Sequence, residues 1–101
     1  MPQSDLQFEW DPRKAEINVR THRVSFEEAA TVLTDIFSFT YDDEAHSQVE
    51  QRYATLGMSG RGRLLVVAHT MRSDLVRIIS ARKATPRERK WYEEENKYKY
   101  R

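Results

Sequence analysis

Along the chain the spacing of apolar positions changes twice, from helical to alternating and back to helical. In the first third, "DPRK" puts Asp11 at an N-cap, with Pro12 at the first helical position, where its missing N–H costs nothing. Further on, "SFEE" forms a capping box, with Ser25 as the cap and Glu28 reaching back. These signals predict helices over about 12–22 and 26–34. In the first, Ala15, Asn18, Val19 and His22 share one face.

After "TD" the period shortens to two. "IFSFTY" (36–41) alternates large apolar with small polar residues, and a second strand is expected over 49–57 after the loop "DDEAHS". "SGRG" (59–62) turns the chain into "RLLVVAHTM" (63–71), and "RSD" turns it again into "LVRIISAR" (75–82). Short turns imply antiparallel pairing. "TPRE" (85–88) then opens a last helix, on which Trp91, Tyr92 and Tyr98 share a face. The pattern predicts an α+β domain over 1–101: two N-terminal helices, a four-stranded antiparallel meander and a C-terminal helix. The helices should cover one face of the sheet and leave the other free for a ligand.

Composition adds two constraints. Hydrophobic residues at 39% and charged residues at 33% suit a soluble globular chain. With no cysteine, no signal-peptide pattern and no apolar run of membrane-spanning length, the expected location is cytoplasmic. Charge is unevenly spread: residues 1–51 hold four Lys/Arg against eleven Asp/Glu, net −7, and residues 52–101 hold thirteen against five, net +8. Either the halves pair inside the fold, or the basic half offers an anion-binding face, with nucleic acid the commonest large anion.

Strand alternation puts Val76, Ile78, Ser80 and Arg82 on one face, and Leu75, Arg77, Ile79, Ala81 and Lys83 on the other, so the wet face is not settled. Glu50, Arg52, Ala54 and Leu56 share a face of the preceding strand region. Arg52, Arg72, Arg77 and Arg82 read singly as rim ion pairs of small worth. As a cluster, within a stretch (52–89) of nine cations and two acids, they read as a polyanion cleft, because guanidinium forks grip phosphate in two places. Arg77, between Val76 and Ile78, suits a structural pair better.

His22, His46 and His69 are widely spaced, and there is no metal-ligand motif, Walker loop, nucleophile elbow or dinucleotide loop. RNA cleavage needs none of these. Its 2′-OH can attack the adjacent phosphorus if a base takes the proton and cations stabilise the phosphorane. His69, on a strand, is either that base or a core histidine; His22, late in a helix, is either a cap or a proton donor.

Three segments resemble the BrnT toxin family: "FEWDPRKAEINVRTHRVSFEEA" (8–29), "HSQVEQRYATLG" (46–57) and "GRLLVVAHTMRSDLVRIISARKATPRERKWYEE" (62–94). The resemblance implies a RelE-like fold and the toxin of a bacterial type II toxin–antitoxin pair, an endoribonuclease that arrests growth without a metal. It implies no cofactor. The implied partner is a BrnA-type antitoxin, a ribbon-helix-helix protein through which the complex reaches operator DNA. On matching motif positions, the candidates for catalysis are Arg52, Arg72, Arg82, Glu50 and His22; those for substrate binding are Lys83, Arg77 and Trp10. The chain departs from the family where many members read Lys-His-Gly; here Thr21, His22 and Arg23 stand, and Thr21 lacks the lysine's charge. A catalytically silent, antitoxin-holding module is the competing class.

Overall fold

A computed structural model describes residues 6–97. Asp11 caps α1 (Pro12–His22) by accepting from the Arg13 N–H, and Ser25 caps α2 (Phe26–Val32) by accepting from the Glu28 N–H. The expected capping box on α2 is only half made. Glu28 turns its carboxylate inward, where it accepts from the Arg63 guanidinium and the Ser59 hydroxyl, and the Arg63 bond above all holds it below the usual carboxylate range. Thr85 and Glu88 make the complete box that starts α3 (Pro86–Asn96). Tyr98, expected on its aromatic face, lies outside the described residues.

The domain is α+β, but its sheet has five strands rather than four. A short strand, β1 (Gln7–Glu9), precedes α1, followed in the chain by β2 (Phe39–Asp42), β3 (Tyr53–Met58), β4 (Leu64–Arg72) and β5 (Leu75–Lys83). Strands β2 to β5 form the expected antiparallel meander, and β1 adds to β5 in parallel, giving the order β1-β5-β4-β3-β2. Three residues of β1 are too few to show a period of two. The strand expected over 36–41 begins only at Phe39, because Asp35 accepts from the Phe37 N–H and folds the chain into a turn first. That expected over 49–57 begins at Tyr53.

Helices pack on both faces of the sheet, not one, although α3 covers its face only in part. Along β4, Leu65 and Val67 pack with Ile78 and Ala81 against Val24, Phe26, Ala29 and Val32 of the α2 side. Their neighbours Leu64 and Val66 pack with Ala54 and Leu56 against Tyr92 of α3. Alternation explains the split, since successive strand residues serve opposite layers.

In β5 the alternation breaks. Ala68 pairs with Ser80 but His69 with Ile78, so Ile79 is an extra residue, a bulge. The faces expected for this strand are therefore wrong beyond Ile78. Ile78 and Ala81 share the α1/α2 core, while Arg82, opposite Val66, stands on the α3 face.

β1 reaches only as far as Arg77, and beyond it α1 borders the free edge of β5. Asn18, buried at 5% exposure, supplies the edge's missing partner. Its Oδ1 accepts from the Ala81 N–H at 3.1 Å, and its Nδ2 donates to Ala81 O at 2.9 Å and Val24 O at 2.8 Å. Arg23 then ends α1 in the left-handed conformation, φ 60°, leaving His22 in the last turn. Among the described residues no helix is long and apolar enough to cross a membrane.

Asn18→Ala strands a buried N–H and two carbonyls. It should lower the unfolding free energy by about 3 kcal/mol, read as a lower urea midpoint with an unchanged m-value.

Candidate active-site cleft

On the α3 face, where α3 stops short of covering β5, the sheet is open over a cavity of about 420 Å³. Its floor is made by small side chains from three strands: Ala54, Val66, Ala68 and Ser80. Small residues here leave depth that leucine or phenylalanine would fill. Polar groups rise from three directions: Tyr41 and Arg82 from strands, His22 from α1, and Asp43, His46 and Arg52 from the connection between β2 and β3.

That connection is closed by its own hydrogen bonds. The Asp43 N–H donates to Arg52 O at 2.9 Å, one step beyond the last β2–β3 pair, Asp42 with Tyr53. Inside the closed loop, the Ser47 hydroxyl donates to Asp43 O at 2.7 Å and accepts from the Arg52 N–H at 2.9 Å. Thr70 of β4 donates to Gln51 O at 2.7 Å and ties the loop to the sheet. Arg52 is thereby placed through hydrogen bonds to its own backbone N–H and carbonyl.

The cations differ in how far they are neutralised. Arg82 makes a two-pronged pair with Glu88, at 2.8 and 2.9 Å. Glu88 also accepts from the Thr85 N–H, so the α3 cap and the arginine share one carboxylate. The Arg82 bonds above all hold the Glu88 carboxyl down to about 2, and in return raise the guanidinium further. Burial pushes the Tyr41 phenol up, and Glu88 adds to that shift. Arg52 is the contrast: among the described residues no carboxylate pairs with it, and its Nε is buried with no hydrogen-bond partner. A buried donor without an acceptor is costly unless a ligand supplies one.

Of the residues singled out from sequence, His22, Arg52 and Arg82 meet at this cavity. The others lie elsewhere. Arg72 and Glu50 face each other at 3.8 Å, and Glu50 lines a separate, smaller hollow behind Arg52. Arg77 pairs with Glu9 of β1 at 3.4 Å, across adjacent strands. Lys83, paired with Leu65, points to the opposite face from Arg82, and is exposed. Trp10 packs edge-on against Phe26 with ring centres 5.9 Å apart, as part of the α2-side core. His69 lies on that side too, with Nε2 at 2.8 Å from the Thr55 hydroxyl, and burial pushes it down to about 4.

Asp43, His46 and Tyr41 line the cleft without having been singled out from sequence. The available signal was the Asp-x-x-His spacing in "DDEAH", which suits a one-turn contact but is common in plain loops. Among the described residues no three His, Cys, Asp or Glu side chains come together to hold a metal ion.

A family model described as "Ribonuclease toxin, BrnT, of type II toxin-antitoxin system" matches residues 10–88. No curated protein sequence matches. The crystal structure of the Brucella abortus ribonuclease toxin BrnT shares the fold, with a TM-score of 0.62 at 19% identity over 80% of this chain and 99% of that one.

The depressed Glu88 carboxyl predicts a pH signature. Its folded value, about 2, lies below the ordinary 4.5, so its stabilisation is complete above about pH 4.5 and is lost as pH falls through about 2. Glu88→Gln should cost about 2 kcal/mol at neutral pH, and the difference from the parent protein should shrink as unfolding is followed down to pH 2.

Proposed function

This chain belongs to the BrnT family of ribonuclease toxins of type II toxin–antitoxin systems, and from that premise we propose that it cuts RNA internally in the cleft between α1 and the β2–β3 connection. The observation that carries the reading is Arg52, whose guanidinium has a buried Nε without an acceptor and no carboxylate partner among the described residues, beside an imidazole and a second guanidinium. Such a site suits a phosphodiester. Arg52 grips the non-bridging oxygens, and Arg82, held rigid by Glu88, offers further N–H donors with its charge offset by that carboxylate. His22 exchanges a proton with the reacting RNA.

The nucleophile is the RNA's own 2′-OH, which leaves a 2′,3′-cyclic phosphate and a 5′-hydroxyl. No metal is needed in this scheme, because guanidinium groups carry the charge stabilisation. Arg72, Arg77, Glu50 and Trp10 have other partners nearby and are assigned to the scaffold, and Lys83 is assigned no contact with the scissile phosphate. The cytoplasm, where RNA is plentiful, is the expected place of action. A BrnA-type antitoxin is the expected inhibitor, offering acidic groups to the Arg52 and Arg82 region and linking the complex to operator DNA.

The purified, antitoxin-free protein should cut RNA in EDTA and yield 2′,3′-cyclic phosphate ends. Arg52→Ala should lower kcat/KM by about 10²–10³, and Arg52→Lys should recover only part of this, because a point charge lacks the fork. RNA left intact by the parent protein, free or ribosome-bound, overturns the ribonuclease reading.

A further inference from the structure

Internal RNA cleavage moves two protons at opposite ends of the reaction axis: the 2′-oxygen loses one as it attacks, and the departing 5′-oxygen gains one. His22 can serve one end. We propose that His46 serves the other, as a catalytic residue, and that Asp43 is the positioning residue that orients its ring. The inference rests on the ribonuclease reading of the cleft and completes it.

His46 Nδ1 lies 3.1 Å from both carboxylate oxygens of Asp43. A carboxylate only accepts, so Nδ1 carries the hydrogen and Nε2 is left for the substrate. The ring lines the same cavity as His22, Arg52 and Arg82, and its side chain is 67% exposed, open to an incoming polymer.

The loop's hydrogen bonds give this placement its force. The His46 N–H donates to Asp43 O at 3.1 Å, and Ser47, the next residue, bridges Asp43 O and the Arg52 N–H. The backbone positions that carry the imidazole and the guanidinium are therefore held as one unit. His22 comes from α1, anchored separately through Asn18 to Ala81. Two imidazoles on independently fixed elements thus share one cavity with an unpartnered guanidinium, which is what transfer at two ends of one phosphodiester requires.

The step balances without any further reactant. One neutral imidazole takes the 2′-OH proton as the 2′-O–P bond forms. The other, as imidazolium, gives its proton to the 5′-oxygen as the P–O5′ bond breaks. The charged and titratable groups facing His46 are Asp43, Arg52, Glu50, Tyr41, Arg82 and His22. A merely local role, in which Asp43 and His46 brace the short 3₁₀ turn at Glu44–His46, predicts no effect on the chemical step.

The test measures kcat/KM against pH on a short fluorogenic RNA oligonucleotide. The parent protein should give a bell. His46→Ala, whose exposed position should spare the fold (checked by Tm), should lose one limb and fall by more than about a hundredfold. Asp43→Asn should fall less and shift the remaining profile. A substrate with sulfur in place of the 5′-bridging oxygen, whose thiolate leaves without protonation, should restore either His46→Ala or His22→Ala and not the other. The proposal is overturned if His46→Ala keeps both limbs with activity within about threefold, or if the sulfur substrate restores neither variant or both equally. A parent protein that cuts no RNA removes the ribonuclease reading itself, and this inference with it.

Discussion

A single extra residue in β5 sets the relation between the core and the cleft. If strict alternation ran on from Ile78, Ser80 and Arg82 would follow it into the α1/α2 core, and Ala81 would face outward. A guanidinium among Phe26, Val32 and Leu65 would have no acceptor, at a cost of several kcal/mol. The bulge at Ile79 inverts the phase, so Ala81 enters the core and Arg82 stands on the α3 face beside Tyr41 and Glu88. The same inversion leaves Lys83 on the other side of the sheet. From Ala81 the constraint passes to α1, because Asn18 hydrogen-bonds both backbone groups of that residue. His22, four residues after Asn18, comes one helical turn farther along the same face and so to the rim of the cavity.

Part of the charge asymmetry of the two halves resolves into pairs. Glu28 takes Arg63, Glu50 takes Arg72, Glu9 takes Arg77, and Glu88, itself in the basic half, takes Arg82. Each pair has a structural use: closing the turn before β4, tying the β2–β3 connection to the end of β4, joining β1 to β5, or starting α3 beside the last strand. These pairs remove only part of the basic half's surplus, because Glu88 already belongs to that half. Arg52 matters because it lies in the cleft outside this pairing, and because hydrogen bonds to its backbone rather than a carboxylate put it in place. Enzymes that stabilise developing negative charge gain most from a cation fixed in advance and not already neutralised.

Much of the architecture was legible in local chemistry. Asp11-Pro12, Ser25 and Thr85-Pro86 start the three helices because side-chain caps act within a few residues of chain. The meander from β2 to β5 followed from period two and short turns. Less legible were β1, too short for periodicity, and the starts of β2 and β3, delayed by the side-chain bond of Asp35 and the clamp of Ser47. At the site, the sequence pointed to arginines as a class and to His22. It passed over His46 and Asp43, which look like any polar loop until the chain folds back on Arg52.

Local order of residues alone therefore established the helix starts, the run of antiparallel strands, the absence of cysteine chemistry and, through its motifs, the family. Which cleft arginine has no carboxylate partner, which face Arg82 and Lys83 occupy, and which histidines share a cavity were decided only by tertiary contacts. The physical reason is range. Caps, turns and alternation act over a few residues, whereas a register shift, an ion pair between distant strands and a shared cavity depend on partners brought together from across the chain.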